Sequence, residues 1–172
     1  VFGSWTMHLG LFSLPLTMFW FMGFMNTSNL MDGMDGLSGG MNLIALVGLG
    51  ACCLILGLSQ PYLASALAVL TLVYLVFNLR RRDKVFMGDS GSLTLGLSVA
   101  LLGLWSRQTG GKLVGILPAV ALGGYIIGIV DVGIAIVRRL LRGHSPFAPD
   151  KHHLHHRLLR RGHGCLSTLT IL

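Results

Sequence analysis

The feature that most constrains this chain is the near absence of charge over its first 79 residues. That part carries no Lys or Arg and only two acids, Asp32 and Asp35. Over all 172 residues, 11% are charged and 53% are hydrophobic, whereas a soluble domain has about 25% charged residues. This composition excludes an ordinary water-soluble globule and a disordered chain, since both need charge. It indicates an integral membrane protein.

Five apolar runs approach the roughly 20 helical residues that cross a bilayer. They span residues 5–25, 41–58, 62–77, 93–105 and 113–137. The fourth is short, and we expect its helix to begin within the Gly-Asp-Ser-Gly segment that precedes it. We predict an all-α, polytopic transmembrane helix bundle of about five membrane helices, with a sixth cut off at the end of the chain.

The ends of the chain suggest that it is part of a longer protein. It starts inside an apolar stretch without an initiator Met, and it stops as another apolar stretch begins. We therefore expect residues 1–172 to form a single integral-membrane domain that is incomplete at its N-terminus and at its C-terminus.

The charged residues divide between the two sides of the predicted bundle. Five crossings would place residues 26–40, 78–92 and 138–164 on one side and 59–61 and 106–112 on the other. Eleven of the thirteen Lys and Arg lie on the first side, which the positive-inside rule makes cytoplasmic. Five of the six Asp and six of the seven His lie there too. We read the net charge of +7 as membrane topology, not as nucleic acid binding.

The first cytoplasmic loop contains Asn29-Leu-Met-Asp32-Gly-Met-Asp35-Gly-Leu. Each Asp is followed by Gly, which suits backbone that approaches a ligand closely. The spacing does not fit an EF-hand, which alternates its acids and ends in Glu. The alternative is a plain polar turn between two helices, although two carboxylates and two amides beside a membrane are many for a turn.

The second loop contains Gly88-Asp89-Ser90-Gly91 after a basic run at 80–84. A trypsin-like serine protease is rejected, because this chain cannot form the soluble β-barrel or supply the His and Asp partners. An Asp at a helix entry among small residues leaves space for phosphate or Mg²⁺. The alternative is a helix N-cap, and the basic run is interpreted as positive-inside charge.

The third loop, residues 142–164, is predicted to be a cytoplasmic, His-rich segment. Asp150 is a plausible N-cap, and Leu154, Leu158 and Leu159 form an apolar stripe, which predicts a short amphipathic helix at the membrane surface. The spacing of His152 and His156 permits zinc ligation, but the HExxH pattern is absent. The density of basic residues fits phosphate groups better.

Together these loops resemble the polyprenyl-phosphate N-acetylhexosamine-1-phosphate transferases. Asn-Leu-Met-Asp-Gly-Met-Asp-Gly-Leu is similar to their NxxDGxDGL motif, Phe-Met-Gly-Asp-Ser-Gly-Ser-Leu to FMGDxGSL, and Ser-Pro-Phe-Ala-Pro-Asp-Lys-His-His-Leu-His-His to SPFxxDxxHxHH. The last form is similar to the branch that uses UDP-N-acetylglucosamine, whereas the peptidoglycan branch has three consecutive His. The motifs occur in the family's order along the chain.

The resemblance implies a reaction and a set of site residues. N-acetylglucosamine 1-phosphate would pass from UDP-N-acetylglucosamine to a polyprenyl phosphate, releasing UMP. Asp89 would bind Mg²⁺, with Mn²⁺ as the alternative ion, and Asp131 would give structural or lipid-side support. The implied catalytic residues are Asp32, Asp35, Asp89, His153, His155 and His156. The implied nucleotide-binding residues are Asn29, Asp35, Asn78 and Phe86.

The implied setting is the plasma membrane, with a multi-pass chain whose active site faces the cytoplasm. The partners are the two substrates and the lipid bilayer; the oligomeric state stays open, a homodimer included. The product would start a cell-envelope polysaccharide such as lipopolysaccharide, teichoic acid or arabinogalactan.

Two alternatives remain open at this point. The family carries an adjacent Asp pair at a position that would precede Val1, so a noncatalytic fragment or a pseudoenzyme is one. The other is a metal-handling membrane protein that uses the His cluster. It predicts ionisable residues at mid-membrane depth in several helices, whereas only Asp131 lies inside an apolar run.

Overall fold

The computed structural model describes residues 10–58, 61–80, 82–105, 116–143, 145 and 167–168. A 3₁₀ turn, Gly10–Phe12, leads into five helices. They are α1 Ser13–Met31, α2 Leu37–Ile55, α3 Pro61–Asn78, α4 Gly88–Trp105 and α5 Ile116–Leu141. No strand occurs among the residues that the structure describes, and the prediction of an all-α bundle is confirmed.

Three of these helices, α2, α3 and α5, are long and apolar enough to cross a membrane. The apolar part of α4 is shorter, Gly88–Leu104, so the crossing of α1 and α4 stays a prediction. The outward face of α3 shows what surrounds the bundle. Val69, Leu70, Leu72 and Val73 are each at least half exposed, which suits contact with lipid tails instead of water.

The first loop is shorter than its polarity predicts. α1 continues to Met31, six residues beyond the apolar run, and α2 begins at Leu37, so the loop comprises only residues 32–36. The reason is that Thr27 and Ser28 are buried inside the bundle, where Ser28 forms hydrogen bonds with Ser38 and Asn42. At the other loop, α4 begins at Gly88, which confirms the expected start within the Gly-Asp-Ser-Gly segment.

Close helix packing depends on small residues at two crossings. A side-chain carbon at Gly96 of α4 would lie 2.7 Å from the carbonyl oxygen of Phe24 in α1. At Gly124 of α5 it would lie 2.7 Å from the Cβ of Ala45 in α2. Small residues let membrane helices approach backbone to backbone, where van der Waals packing replaces the missing hydrophobic drive.

A buried polar network joins α1, α2 and α5 below the loops. Tyr125 Oη donates to Asn42 Oδ1 at 2.6 Å, and Asn42 Nδ2 donates to Ser28 Oγ at 2.9 Å. Ser38 Oγ donates to the Ser28 carbonyl oxygen at 2.9 Å. Polar groups away from water need partners inside the protein, and here they find one another. The network therefore fixes α5 against the helices that carry the first loop.

Removing the hydroxyl of Tyr125 should destabilise the bundle, because Asn42 Oδ1 would lose its buried donor. We expect Tyr125→Phe to lower the free energy of unfolding by about 1–2 kcal/mol, seen as a lower thermal midpoint in detergent. Tyr62→Phe is the matched control, since Tyr62 lies on α3 with 83% of its surface exposed. Equal midpoints for both variants and the parent chain would contradict the role of the network.

Candidate active site

Residues 32–36 and 79–87 meet at one end of the bundle, which we call the loop end. A single buried side chain, Asn78 at the end of α3, joins them. The Gly36 N–H donates to Asn78 Oδ1 at 2.7 Å, and Asn78 Nδ2 donates to the Val85 carbonyl oxygen at 2.9 Å. Gly36 starts α2 with a φ of 80°, a left-handed conformation that glycine adopts without strain.

Asn29 connects the end of α1 to the start of α4. Its Nδ2 donates to Asp89 Oδ1 at 2.9 Å and to Ser92 Oγ at 3.1 Å. Asp89 lies in the first turn of α4, where the helix dipole favours a negative charge. The Asp89 side chain is thus positioned by two helices while its residue stays exposed to solvent.

Asp32 closes α1, and its own N–H donates to the Asn29 carbonyl oxygen at 3.1 Å. Partial burial raises the pKa of the Asp32 carboxyl above its ordinary value, and the negative charges of Asp89 and Asp35 raise it further. The Gly88 N–H acts in the opposite direction. The Asp32 carboxylate is therefore close enough to those of Asp89 and Asp35 to be repelled by both, and a bound cation would relieve that repulsion.

The chemistry of these groups fits Mg²⁺ better than a transition metal. The described residues contain no group of three His, Cys, Asp or Glu side chains arranged to hold a metal ion. Mg²⁺ is usually held by one or two carboxylates together with substrate phosphates and water. Asp89 and the neighbouring Asp32 supply two such carboxylates. Magnesium binding at Asp89 therefore stays a prediction, and the oxygen ligands present at the site support it.

Two exposed side chains of the second loop border these acids. Phe86 follows the anchored Val85 with 74% of its surface exposed, so its ring is accessible to a planar base. Lys84 Nζ forms an ion pair with Asp35 Oδ2. Two other members of the basic run differ from Lys84: the Arg80 guanidinium lies over the Phe77 ring at 4.2 Å, and Arg82 is exposed.

The structure brings six of the predicted site residues to the loop end. They are Asn29, Asp32, Asp35, Asn78, Phe86 and Asp89. In this structure the Asn78 amide faces into the protein as the connection between loops, so direct contact with a nucleotide stays a prediction. His153, His155 and His156, with the amphipathic helix of 142–164, lie outside the described residues.

Sequence reasoning missed two residues of this site. Lys84 was interpreted as topological charge, since a basic run at a helix end has that meaning in most membrane proteins. Ser92 received no role, although it accepts from Asn29 and donates to the Gly88 carbonyl oxygen at 3.1 Å. The sequence signal that pointed to Ser92 is its place as the Ser of the FMGDxGSL motif.

The fold and the loop end define a helical membrane protein whose acidic site is assembled from two loops at one end of the bundle. A family model described as Glycosyl transferase family 4 matches residues 1–107. The chain belongs to this family.

Proteins that are similar to most of this chain have names that state the same activity. An undecaprenyl-phosphate alpha-N-acetylglucosaminyl 1-phosphate transferase of Escherichia coli (strain K12) is 39% identical over 166 residues, which is 94% of this chain and 45% of the relative. Proteins with the same name from Salmonella typhi and Yersinia pestis are 40% and 36% identical over 169 and 165 residues, with the same shares covered. The chain thus spans under half the length of these curated relatives. No solved structure matches it.

Asp32 should oppose folding when it is ionised. Because folding raises its pKa above the ordinary value of 3.8, stability decreases as pH rises through the interval between the ordinary and the raised values. We expect Asp32→Asn to raise the thermal midpoint in metal-free buffer at pH 7. The gain should shrink as pH falls below the raised pKa, where the native carboxyl already holds its proton.

The control for this prediction is Asp83→Asn in the neighbouring loop. Asp83 is exposed and has a φ of 54°, a left-handed conformation that Asn tolerates, so its midpoint should stay near that of the parent chain. A midpoint of Asp32→Asn at pH 7 that is equal to or below the parent value would show that the ionised Asp32 carboxyl does not oppose folding.

Proposed function

We propose that the protein transfers N-acetylglucosamine 1-phosphate from UDP-N-acetylglucosamine to a polyprenyl phosphate and releases UMP. The observation that carries this proposal is the meeting of two distant motifs at the loop end, where Asn29 bonds Asp89 across 60 sequence positions. The names of the relatives support the sugar and the lipid acceptor.

The proposed reaction is a phosphoryl transfer. A phosphate oxygen of the polyprenyl phosphate attacks the β-phosphorus of the donor, and the bond from that phosphorus to the bridging oxygen breaks. UMP leaves with the bridging oxygen and its electron pair, and the product is a lipid-linked sugar diphosphate. Such a transfer depends on positioning and charge neutralisation rather than on a covalent enzyme intermediate.

We assign each residue at the loop end a separate role in binding the metal ion or the donor. Asp89, fixed by Asn29, and Asp32 would hold Mg²⁺, or Mn²⁺ in its place, and the bound ion would neutralise the diphosphate charge. The exposed Phe86 ring offers a surface on which uracil can stack, and Asp35 borders the same space. His153, His155 and His156 are assigned to the diphosphate through the motif resemblance alone.

The acceptor explains why such a site would belong to a membrane protein. The prenyl chain stays among the apolar helix faces, while its phosphate reaches the loop end and meets a soluble nucleotide sugar. The distribution of Lys and Arg supports a loop end that faces the cytoplasm, the compartment of nucleotide sugars. We place the protein in the plasma membrane, where its product would begin a cell-envelope polysaccharide.

The proposal is tested by measuring UMP release from UDP-N-acetylglucosamine with polyprenyl phosphate and Mg²⁺, using the full chain purified in detergent. We expect release that needs both the metal and the lipid. Asp89→Asn should lower the rate by roughly a hundredfold or more, because it removes a ligand of the charge-neutralising ion. Asp83→Asn is the matched control and should keep the parent rate.

Each contrary outcome has a distinct meaning. Release that survives in Asp89→Asn would keep the reaction and overturn the metal role of Asp89. A folded protein that releases UMP from no UDP-amino sugar would overturn the proposed reaction and favour a noncatalytic member of the family. Release without any lipid phosphate would overturn the identity of the acceptor.

A further inference from the structure

The second loop sets Lys84 apart from its basic neighbours. Asp83, at φ 54°, is the one non-glycine residue with positive φ among those that the structure describes, and it turns the chain immediately before Lys84. One residue later, the Val85 carbonyl oxygen is held by Asn78. The backbone on both sides of Lys84 is therefore constrained, and this places its side chain over the first loop.

The ammonium group of Lys84 ends at a site carboxylate. It pairs with Asp35 Oδ2, and the side chains of Lys84 and Asp35 are 35% and 23% exposed. A pair this accessible to water contributes little to stability, because solvent screens the attraction between its charges. The fold does not depend on the pair. An incoming anion can therefore replace Asp35 as the partner of the ammonium group with little loss of stability.

The diphosphate of a nucleotide sugar is such an anion, and it would bind at a loop end that already carries acidic residues. The carboxyl of Asp32 already lies near the negative charges of Asp35 and Asp89, and a diphosphate adds negative charge beside them. Lys84 is a cation held in contact with this cluster, and a Lys ammonium is a common point-charge ligand for phosphate. Arg80 stacks on Phe77 and Arg82 is exposed; among the described residues of this loop, Lys84 is the cation that contacts the acids.

We propose that Lys84 is a ligand for the diphosphate of the donor, and that Asp35 holds its ammonium group in place until the donor binds. This inference rests on the proposed function, since it assumes a nucleoside diphosphate donor at the loop end. It adds a phosphate contact to a residue whose position in a basic run indicated membrane topology alone.

The test is equilibrium binding of UDP and of uridine to the full chain in detergent with Mg²⁺, measured by calorimetry. Uridine lacks the phosphates and reports the nucleoside pocket alone. We expect Lys84→Gln to weaken UDP binding roughly tenfold to a hundredfold, as for a lost hydrogen bond between charged groups, and to leave uridine binding unchanged. Lys84→Arg keeps the charge and should lose less.

The matched control is Arg82→Gln, which removes the same charge from the same loop two residues away. It should bind both probes as the parent chain does. Thermal midpoints of all three variants establish that each is folded. If Lys84→Gln does not fold, the comparison of UDP with uridine is made with Lys84→Arg.

Four outcomes would overturn the inference. Equal weakening of UDP and uridine would show that Lys84 acts on the nucleoside pocket through Asp35. Unchanged UDP binding in Lys84→Gln would show that Lys84 and Asp35 form only a surface ion pair. An equal loss of UDP affinity in Arg82→Gln would indicate a general charge effect. A parent chain that binds neither probe would overturn the proposed nucleotide donor itself, and this inference with it.

Discussion

The side-chain amide of Asn78 bonds two loops at once, and the geometry of the acidic site depends on that connection. Its oxygen accepts from Gly36, 42 positions away, and its nitrogen donates to Val85. Both bonds lie where the bundle ends, and the residue is 3% exposed. Buried backbone groups need partners, so this single amide satisfies one group of each loop and holds Asp35 beside Lys84 and Asp32 near Asp89.

Electrostatics then give the loop end its chemical character. A bundle with lipid-facing sides places its charges at the ends of its helices, and here acids from two loops collect at one end. Partial burial raises the pKa of Asp32, and the nearby charges of Asp89 and Asp35 raise it further, while Asn29 holds the Asp89 side chain by a hydrogen bond at the start of α4. The arrangement suits a cation that is bound by these acids and by substrate phosphates together. This is the basis of the proposed transfer.

The sequence predicted the elements of this site better than their boundaries. Apolar runs located five helices because membrane helices need apolar length, and the paired glycines and acids located the loops. The end of α1 was placed too early, since Thr27 and Ser28 read as loop residues but are buried inside the bundle, where Ser28 forms hydrogen bonds. Asn42 was hidden within an apolar run, and Lys84 within a basic one, because only tertiary contacts distinguish them from their neighbours.

The proposed transfer requires the loop end of this family member to bind a divalent cation together with a nucleoside diphosphate. Mn²⁺ can replace Mg²⁺ as a paramagnetic probe, and the loss of its free-ion signal by electron paramagnetic resonance counts bound ions. We expect UDP to promote binding of about one ion per chain, consistent with a metal held by carboxylates and phosphates together, and we expect Asp89→Asn to abolish this binding. Mn²⁺ binding that changes neither with UDP nor with this substitution would contradict the proposed site.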